Sequence, residues 1–229
     1  EDLASNLNYL AKLYRFQGRY SEAEPLYQQA IEIDKIALPQ NHPDFARDLH
    51  NLAELYRSQG RYSEAEPLYQ KVIEIDKIAL PQNHPERATH LNNLAVLYES
   101  QGRYSEAEPL YLQAIEIDKI ALPENHPSFA GDLNNLAVLY NSQGRYSEAE
   151  PLYLQAIEIV KIALSENHPS LATHLKNLAL LYDSQGRYSE AEPLYQQALD
   201  MCEQTFGEEH PNTQTVRENL ERCRQQQKS

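Results

Sequence analysis

The segment QGRYSEAEPLY, residues 101–111, occurs five times in the chain without a single change. Its glycine recurs every 42 residues, and a His-Pro pair keeps the same period. A strict period of this length is typical of a stacked array of small structural units. The glycines are Gly18, Gly60, Gly102, Gly144 and Gly186, and the histidines are His42, His84, His126, His168 and His210.

The third copy predicts two helices joined by a tight turn. Apolar residues at steps of three and four predict a first helix between Pro85 and Gly102. Proline suits the first turn of a helix, and glycine suits the position just after its end. A second apolar stripe predicts a longer helix from Ser105 to about Ala121. Each unit is therefore predicted to be a helical hairpin followed by a short link.

Further details follow from single residues. Ser105 and Glu108 form an S-x-x-E pattern that recurs in every copy and predicts a capping box on the second helix. Ala95 and Ala107 predict a close crossing of the two helices. The His-Pro histidines lie one repeat apart, which indicates turn formation rather than a metal site. Three further histidines are interpreted as isolated residues on separate helices: His50, His90 and His174.

The repeated pattern closely resembles the tetratricopeptide repeat. The unit here is 42 residues long rather than about 34, and this longer form is similar to the repeats of kinesin light chain and of related bacterial arrays. The resemblance implies an all-α fold, an α-α superhelix (solenoid) of five helix-turn-helix units with a C-terminal capping helix. In the third copy the family's consensus positions are Leu91, Leu94, Ala95, Tyr98, Gly102, Tyr104, Ala107, Tyr111 and Ala114.

We expect one array over residues 1–229. The last copy drifts in sequence, and the polar segment from Thr213 to about Gln226 predicts a terminal helix with a wettable outer side. Cys202 and Cys223 are expected to be a buried pair of thiols on neighbouring helices near this end. The repeats are expected at about 2–43, 44–85, 86–127, 128–169 and 170–211, and the capping helix and tail at 212–229.

The copies differ from one another mainly along one stripe of the first helix. The varied positions lie at offsets of 0, 3, 7 and 10, with an asparagine beside them in four copies. The resemblance implies that first helices line a concave groove where peptides bind, so this stripe is the hypothesised binding surface. Its candidate residues are Asn8, Lys12, Arg15, Arg47, His50, Asn51, Arg57, Asn92, Asn93, Val96, Asn134, Asn135, Val138, Asn141, Lys176, Asn177 and Leu180.

The chemistry of the stripe suggests a kind of ligand. Asparagine amides both donate and accept hydrogen bonds, which suits a peptide main chain. Three apolar residues predict an apolar floor, although they equally suit packing between first helices: Val96, Val138 and Leu180. Four basic residues predict a locally basic N-terminal half, with an ordinary solvated face as the alternative: Lys12, Arg15, Arg47 and Arg57. The hypothesised ligand is an extended peptide with an apolar or aromatic anchor and an acidic residue, similar to kinesin light chain ligands.

Several functional classes are disfavoured by composition and motifs. The net charge of −14 repels polyanions, so nucleic acid and anionic membranes are poor partners, and no apolar stretch is long enough to span a bilayer. Phosphate-binding, dinucleotide, nucleophile-elbow and zincin motifs are missing. We therefore expect no enzyme, no cofactor and no metal. With only two cysteines, a reducing, cytoplasmic location is the default expectation.

The leading interpretation is a protein-interaction module that is a monomer or associates weakly with itself. One alternative is a self-association or structural scaffold array, in which the varied stripes serve stacking. Another is the sensor region of a larger bacterial signalling protein. The near-identity of the copies also permits a consensus-designed array, although the drifting last copy favours a natural one.

Overall fold

The computed structural model describes residues 3–164 and 168–228. Within these ranges the chain forms eleven α-helices, arranged as consecutive helix-turn-helix pairs with one further helix at the end. The predicted all-α class is confirmed. Residue 2 at the start of the first predicted repeat, link residues 165–167 and tail residue 229 lie outside the described residues.

The helices belong to two compact units, Glu1–Ala121 and Leu122–Ser229. In each unit, helices that follow one another along the chain pack together. The first unit contains α1 (Leu3–Phe16), α2 (Tyr20–Ala37), α3 (Pro43–Ser58), α4 (Tyr62–Ala79), α5 (Pro85–Ser100) and α6 (Tyr104–Ala121). The second unit contains α7 (Pro127–Ser142), α8 (Tyr146–Ala163), α9 (Pro169–Ser184), α10 (Tyr188–Phe206) and α11 (Pro211–Gln227).

The core of each hairpin uses the residues that the apolar stripes predict. Ala95 on α5 and Ala107 on α6 are both fully buried, as the predicted close crossing requires. The tyrosine that ends each QGRYSEAEPLY segment is also almost completely buried: Tyr27, Tyr69, Tyr111, Tyr153 and Tyr195. Across the described ranges, none of the helices is both long enough and apolar enough to cross a membrane.

The first helix of each pair ends at the repeated glycine. Gly60 has a φ of 73°, a left-handed conformation that glycine adopts without steric cost. Its N–H donates to the Arg57 carbonyl at 3.0 Å, and the Arg61 N–H donates to the Tyr56 carbonyl at 2.9 Å. This is the Schellman pattern, which satisfies two carbonyls that the helix end leaves free.

The His-Pro histidines have a more specific role than turn formation. The side chain of His42 is the N-cap of α3, and its Nδ1 accepts a hydrogen bond from the Asp44 N–H at 3.2 Å. The proline then occupies the first helical position, where its missing N–H costs nothing. The same cap begins α5, α7, α9 and α11, at His84, His126, His168 and His210.

The predicted capping box on the second helices is wrong. These helices begin one residue earlier than expected, at Tyr20, Tyr62, Tyr104, Tyr146 and Tyr188, so the serine lies inside the first turn. Where the N-cap is described it is an arginine without a side-chain cap, as at Arg61 before α4. A guanidinium has no acceptor with which to cap the backbone N–H groups. That of Arg61 instead binds Glu64 at 2.7 Å and stacks over the Tyr56 ring at 4.1 Å.

The same arginine joins each copy to the one before it. Arg61 Nη1 also donates to Glu24 Oε2 on α2 at 2.7 Å, so Glu24 is an inter-repeat acceptor rather than a cap residue. The arrangement recurs between Arg103 and Glu66 on α4, again at 2.7 Å. In the second unit Arg187 binds Glu150 on α8 at 2.8 Å. We call this contact the arginine clip.

The first and last of the described helices differ in how far their apolar side chains are buried. On α1 the side chains of Leu10 and Leu13 are 40% and 51% exposed, whereas the equivalent Leu52 and Leu55 on α3 are 5% and 0% exposed. The terminal helix α11 spans Pro211–Gln227, close to the predicted range. It buries one apolar side on α10 while most of its other residues are polar and exposed. Cys202 on α10 and Cys223 on α11 are both buried and free, as expected.

Candidate functional site

The candidate residues form what we call the first-helix face, the surface of α1, α3 and α5 in the first unit and of α7 and α9 in the second. Lys12 and Arg47 are exposed, and Asn8 and Asn134 are buried. The others are half-buried, which suits both ligand contact and packing between neighbours. They are Arg15, His50, Asn51, Arg57, Asn92, Asn93 and Val96 in the first unit, and Asn135, Val138, Asn141, Lys176, Asn177 and Leu180 in the second.

A cavity of about 230 Å³ opens on this face between α1 and α3. Tyr9 at its rim is 67% exposed, and in the described part of the chain Lys12 has no carboxylate within ion-pairing distance. An exposed aromatic ring therefore lies beside an uncompensated positive charge. The lining residues are Ser5, Asn8, Tyr9, Lys12, Arg47 and Asn51.

A chain of amide hydrogen bonds forms the floor of this cavity. Asn51 Nδ2 donates to Asn8 Oδ1 at 2.7 Å, and Asn8 Nδ2 donates to Asp48 Oδ1 at 2.6 Å. In the second unit Asn177 Nδ2 likewise donates to Asn134 Oδ1 at 3.0 Å. The asparagines of neighbouring first helices thus bind each other. These bonds use some of the amide donors and acceptors that the sequence suggested for a ligand.

Two of the four predicted basic residues share one neighbouring carboxylate. Arg57 and Arg15 both face Glu54, at 2.9 and 3.8 Å, and the Tyr69 hydroxyl donates to the same carboxylate. Burial acts to raise the pKa of Glu54, but the hydrogen bond and charge of Arg57 outweigh it and hold that pKa below its usual range. Glu54 is therefore ionised and compensates one of these two positive charges, so the positive character of this half is reduced but not removed.

Arg47 uses only some of its N–H donors in bonds to neighbouring carboxyl groups. Its Nη1 donates to Asp44 at 2.7 Å, and its Nε lies 3.4 Å from Asp48 Oδ1. The side chain remains 43% exposed beside the cavity. Since guanidinium has five N–H donors, Arg47 keeps donors for a ligand.

The interpretation of His50 and His90 as isolated residues is wrong. Their rings on α3 and α5 lie 4.8 Å apart, and His90 Nδ1 is 2.6 Å from Asp76 Oδ2 on α4. Neighbouring first helices pack so that these two positions meet, which the spacing of residues along one helix does not reveal. Burial, followed by the proximity of His90, lowers the pKa of His50 to about 4, so its ring is neutral. No group of residues suited to hold a metal ion occurs among residues 3–164 and 168–228.

A larger cavity, about 470 Å³, lies between α9, the end of α10 and the start of α11. Lys176 is on its wall, and burial raises the pKa of the Cys202 thiol that also lines it. Thr173 and Thr215 occupy the positions that Ser5 and Arg47 hold in the first cavity, four copies earlier. The helix α11 therefore stands where a sixth first helix would stand.

Sequence reasoning missed this second cavity because it treated α11 only as a cap. Cys202, Phe206, Thr215 and Val216 were not among the candidate residues, although all four line the cavity. The His210-Pro211 pair ahead of α11 was the available signal, since the same pair begins four of the first helices.

Comparisons with known proteins agree with this geometry. The family model described as tetratricopeptide repeat matches residues 2–78, 44–120, 131–204 and 185–229. A search of curated proteins found no significant match.

Solved structures give the same picture. A protein of Podosopora anserina described as a kinesin light chain with nearly identical TPR-like repeats is 30% identical, with a TM-score of 0.74 over 90% of this chain and 99% of that one. BtubC (BKLC) from P. vanneervenii is 26% identical, with a TM-score of 0.76 over 90% and 82%. The apo form of RapI, 14% identical with a TM-score of 0.74 over 95% and 81%, shows likeness of fold alone.

Proposed function

The chain belongs to the tetratricopeptide repeat family, and from this premise we propose that it binds a partner protein as an extended segment on the first-helix face. Repeats of this family generally mediate protein–protein interaction. The proposed role is non-catalytic. The free, buried Cys202 and Cys223 suit a reducing compartment, and we propose the cytoplasm of a bacterium as the setting.

The cavity between α1 and α3 is the observation that carries this proposal. It combines exposed Lys12 with the available donors of Arg47, in a chain whose net charge is −14. Local positive charge favours binding of an acidic ligand group at this cavity. The acidic remainder of the protein surface repels the same group. The first contact of the ligand is therefore proposed to be an aspartate or glutamate side chain.

The exposed ring of Tyr9 supplies the second contact. It stands at the rim of the same cavity. The ring of Phe16, 71% exposed, lies about two turns further along the same face of α1, with Lys12 Nζ 6.0 Å from its centre. Aromatic side chains provide large contact areas at low entropic cost. An apolar or aromatic residue of the ligand, next to its acidic residue, would bury this surface.

The asparagines are proposed to bind the main chain of the ligand. Asn51 uses one amide hydrogen in its bond to Asn8, which leaves one hydrogen and the carbonyl oxygen for a ligand. Asn93 occupies the equivalent position on α5 and is also half-buried. The 42-residue period repeats these amides along the face, as an extended segment requires.

The test is selection of peptides from a random library by the full-length chain, followed by affinity measurement with two lysine variants. Lys12→Ala removes the proposed contact and is expected to weaken binding about five- to tenfold, with a reduced dependence on salt. Lys35→Ala is the matched control, because this exposed lysine lies on α2 and pairs with Glu32. Equal affinities for wild type and Lys12→Ala, or failure to select any peptide, would contradict the proposal.

A further inference from the structure

The contact between α10 and α11 lacks the buried carboxyl groups of the equivalent contact in the first copy. Where α2 packs on α3, Asp34 and Asp48 are buried. Four copies later, where α10 packs on α11, the same two positions hold Cys202 and Val216, which are also buried. Valine has no ionisable group, and burial raises the pKa of the Cys202 thiol, so that this thiol stays neutral. Two acidic positions have therefore become uncharged.

A lysine stands beside these uncharged positions. Lys176 occupies the position that Asn8 holds in the first copy. Asn8 donates to Asp48 at 2.6 Å, whereas Lys176 has Val216 at the position of that acceptor, and both line the cavity of about 470 Å³. The charge of Lys176 opposes the effect of burial on the pKa of Cys202, which places the ammonium group near this thiol. Among the residues that the structure describes, no carboxylate lies within ion-pairing distance of Lys176.

The other walls of this cavity are hydroxyl-bearing and apolar. Thr173 contributes from α9, and Phe206, 41% exposed at the end of α10, stacks on the His210 ring at 4.7 Å. None of the described lining residues is acidic, although the chain contains 34 aspartates and glutamates. The adjacent Glu203 is bound by Arg217 at 2.7 Å. The cavity thus combines a positive charge from α9 with an aromatic wall from α10.

We propose that this cavity binds a small carboxylic acid that carries an apolar or aromatic chain. The carboxylate pairs with Lys176, and the chain packs on Phe206 and Val216. The ligand thereby supplies the negative charge that Asp48 supplies at the first copy. A volume of about 470 Å³ lies in the range of about 300–1,000 Å³ that is usual for small-molecule sites. Hydrogen bonds between charged groups are about twice as strong as neutral ones.

A carboxylate suits this cavity better than a phosphate does. Phosphate sites at the start of a helix depend on several free backbone N–H groups. Both α9 and α11 begin at this cavity, but the Ser170 N–H donates to His168 Nδ1, and the Asn212 N–H donates to His210 Nδ1, each at 3.2 Å. The single ammonium group of Lys176 is then the main partner for an anion, and it balances one negative charge.

Binding of a small acid at this cavity is independent of the proposed peptide binding. The cavity with Lys12 lies in the first unit, between α1 and α3, and the cavity with Lys176 lies in the second unit. Variants of one lysine therefore report on one site only. Failure of the small acid to bind would leave the proposed peptide binding untouched.

The first test is isothermal titration calorimetry of the full-length chain with 3-phenylpropionate as the probe. We expect a dissociation constant below about 1 mM. The neutral analogue 3-phenylpropanol should bind at least about tenfold more weakly, because it cannot form the ion pair. Inorganic phosphate at the same concentration should not displace the acid. No binding of the acid, equal affinity for the alcohol, or displacement by phosphate would overturn the proposal.

Two variants separate the charge from the space. Lys176→Met should weaken binding of 3-phenylpropionate at least about tenfold, and Cys202→Phe should abolish it by filling the cavity. Lys161→Met is the matched control, because this exposed lysine lies on α8, outside the cavity, and its loss should leave the affinity unchanged. Thermal melting checks that each variant is folded. An unchanged affinity of folded Lys176→Met is incompatible with the proposed ion pair.

Amide NMR shifts locate the bound acid and identify its source. The largest changes are expected at the start of α9, the end of α10 and the start of α11, and changes centred on Lys12 instead would contradict the assignment. A tripeptide that ends in phenylalanine with a free carboxylate should bind no more tightly than 3-phenylpropionate. Tighter binding of this peptide would assign the cavity to a chain terminus and overturn its assignment to a small acid.

Discussion

The arginine clips and the first-helix face are built by the same repeat, yet they behave oppositely from copy to copy. Arg61 and Arg103 bind Glu24 and Glu66 at the same distance of 2.7 Å, and each stacks on a tyrosine ring at 4.1 Å. On the face, by contrast, the position of Lys12 becomes Glu54 in the next copy and then Val96. The clips thus form the same contact between successive copies, whereas the first-helix face differs from copy to copy.

The copies differ not only on the first-helix face but also at some buried positions. These positions lie where the second helix of one copy packs on the first helix of the next, a contact that we call a joint. The α2–α3 joint holds Asp34 and Asp48, and the α4–α5 joint holds Asp76 and His90. Both joints keep the same backbone arrangement and the same clip. Copies with almost identical helices thus differ in the polar residues buried between them.

The largest expected effect is a loss in the free energy of unfolding, and it distinguishes two adjacent residues of α5. One of them lies in the core and the other on the first-helix face. Leu97 is fully buried, whereas Val96 is half-buried on the face. We expect Leu97→Ala to lower the free energy of unfolding by about 2–5 kcal/mol, and Val96→Ala by less than about 1 kcal/mol. Urea denaturation of both variants measures the difference. Similar losses for the two would show that the face is part of the core.

A smaller effect is expected at the constant His-Pro cap. His84 accepts from the Glu86 N–H at the start of α5, so His84→Ala should cost about 0.5–2 kcal/mol of unfolding free energy. His84→Asn should lose much less, because asparagine is itself a good N-cap residue. The same denaturation experiment compares them. Equal losses for alanine and asparagine would mean that His84 contributes by packing and not by capping.

The smallest effect concerns the clip itself. Arg61 binds Glu24 on the preceding copy and Glu64 on its own helix, whereas Arg19 in the first copy binds Glu22 on its own helix. Because partly exposed ion pairs contribute little, Arg61→Ala should lower the melting temperature only about 2–4 °C more than Arg19→Ala does.

The clip also has a defined pH dependence. The hydrogen bond from Arg61 holds the pKa of Glu24 below its usual 4.5. The contribution is therefore present above that pH and is lost as pH falls through the lowered folded-state pKa. The difference between Arg61→Ala and Arg19→Ala should shrink in acid, which melting curves at pH 7 and pH 4 measure. A difference that grows in acid would contradict the assignment of Glu24 as the partner.

Much of the fold was predictable because it depends on local pattern. The 42-residue period, the glycine turns and the apolar stripes placed the helices to within a residue or two, from Pro85 at the start of α5 to Ala121 at the end of α6. The capping prediction failed because the helix begins at Tyr104, so Ser105 lies inside its first turn. The glutamate of the same pattern bonds instead to an arginine of the next copy, as Glu66 does to Arg103. Such partners depend on how the copies stack and not on the local sequence.

The candidate site was predictable in its location but not in its contacts. The stripe of varied residues lies on the first helices as expected, and the cavity between α1 and α3 is lined by six residues of that region. The pairing of Arg15 with Glu54, and of His50 with His90, depends on the register between neighbouring helices. A single helix pattern carries no information on that register.

The hydrogen bond between Asn51 and Asn8 has a consequence for how this protein would recognise a partner. It joins α3 to α1 at 2.7 Å, and both side chains line the cavity that contains Lys12. The amide of Asn51 is therefore held in one orientation before a ligand arrives. Binding does not have to order this side chain, so less of the interaction free energy is lost to conformational entropy.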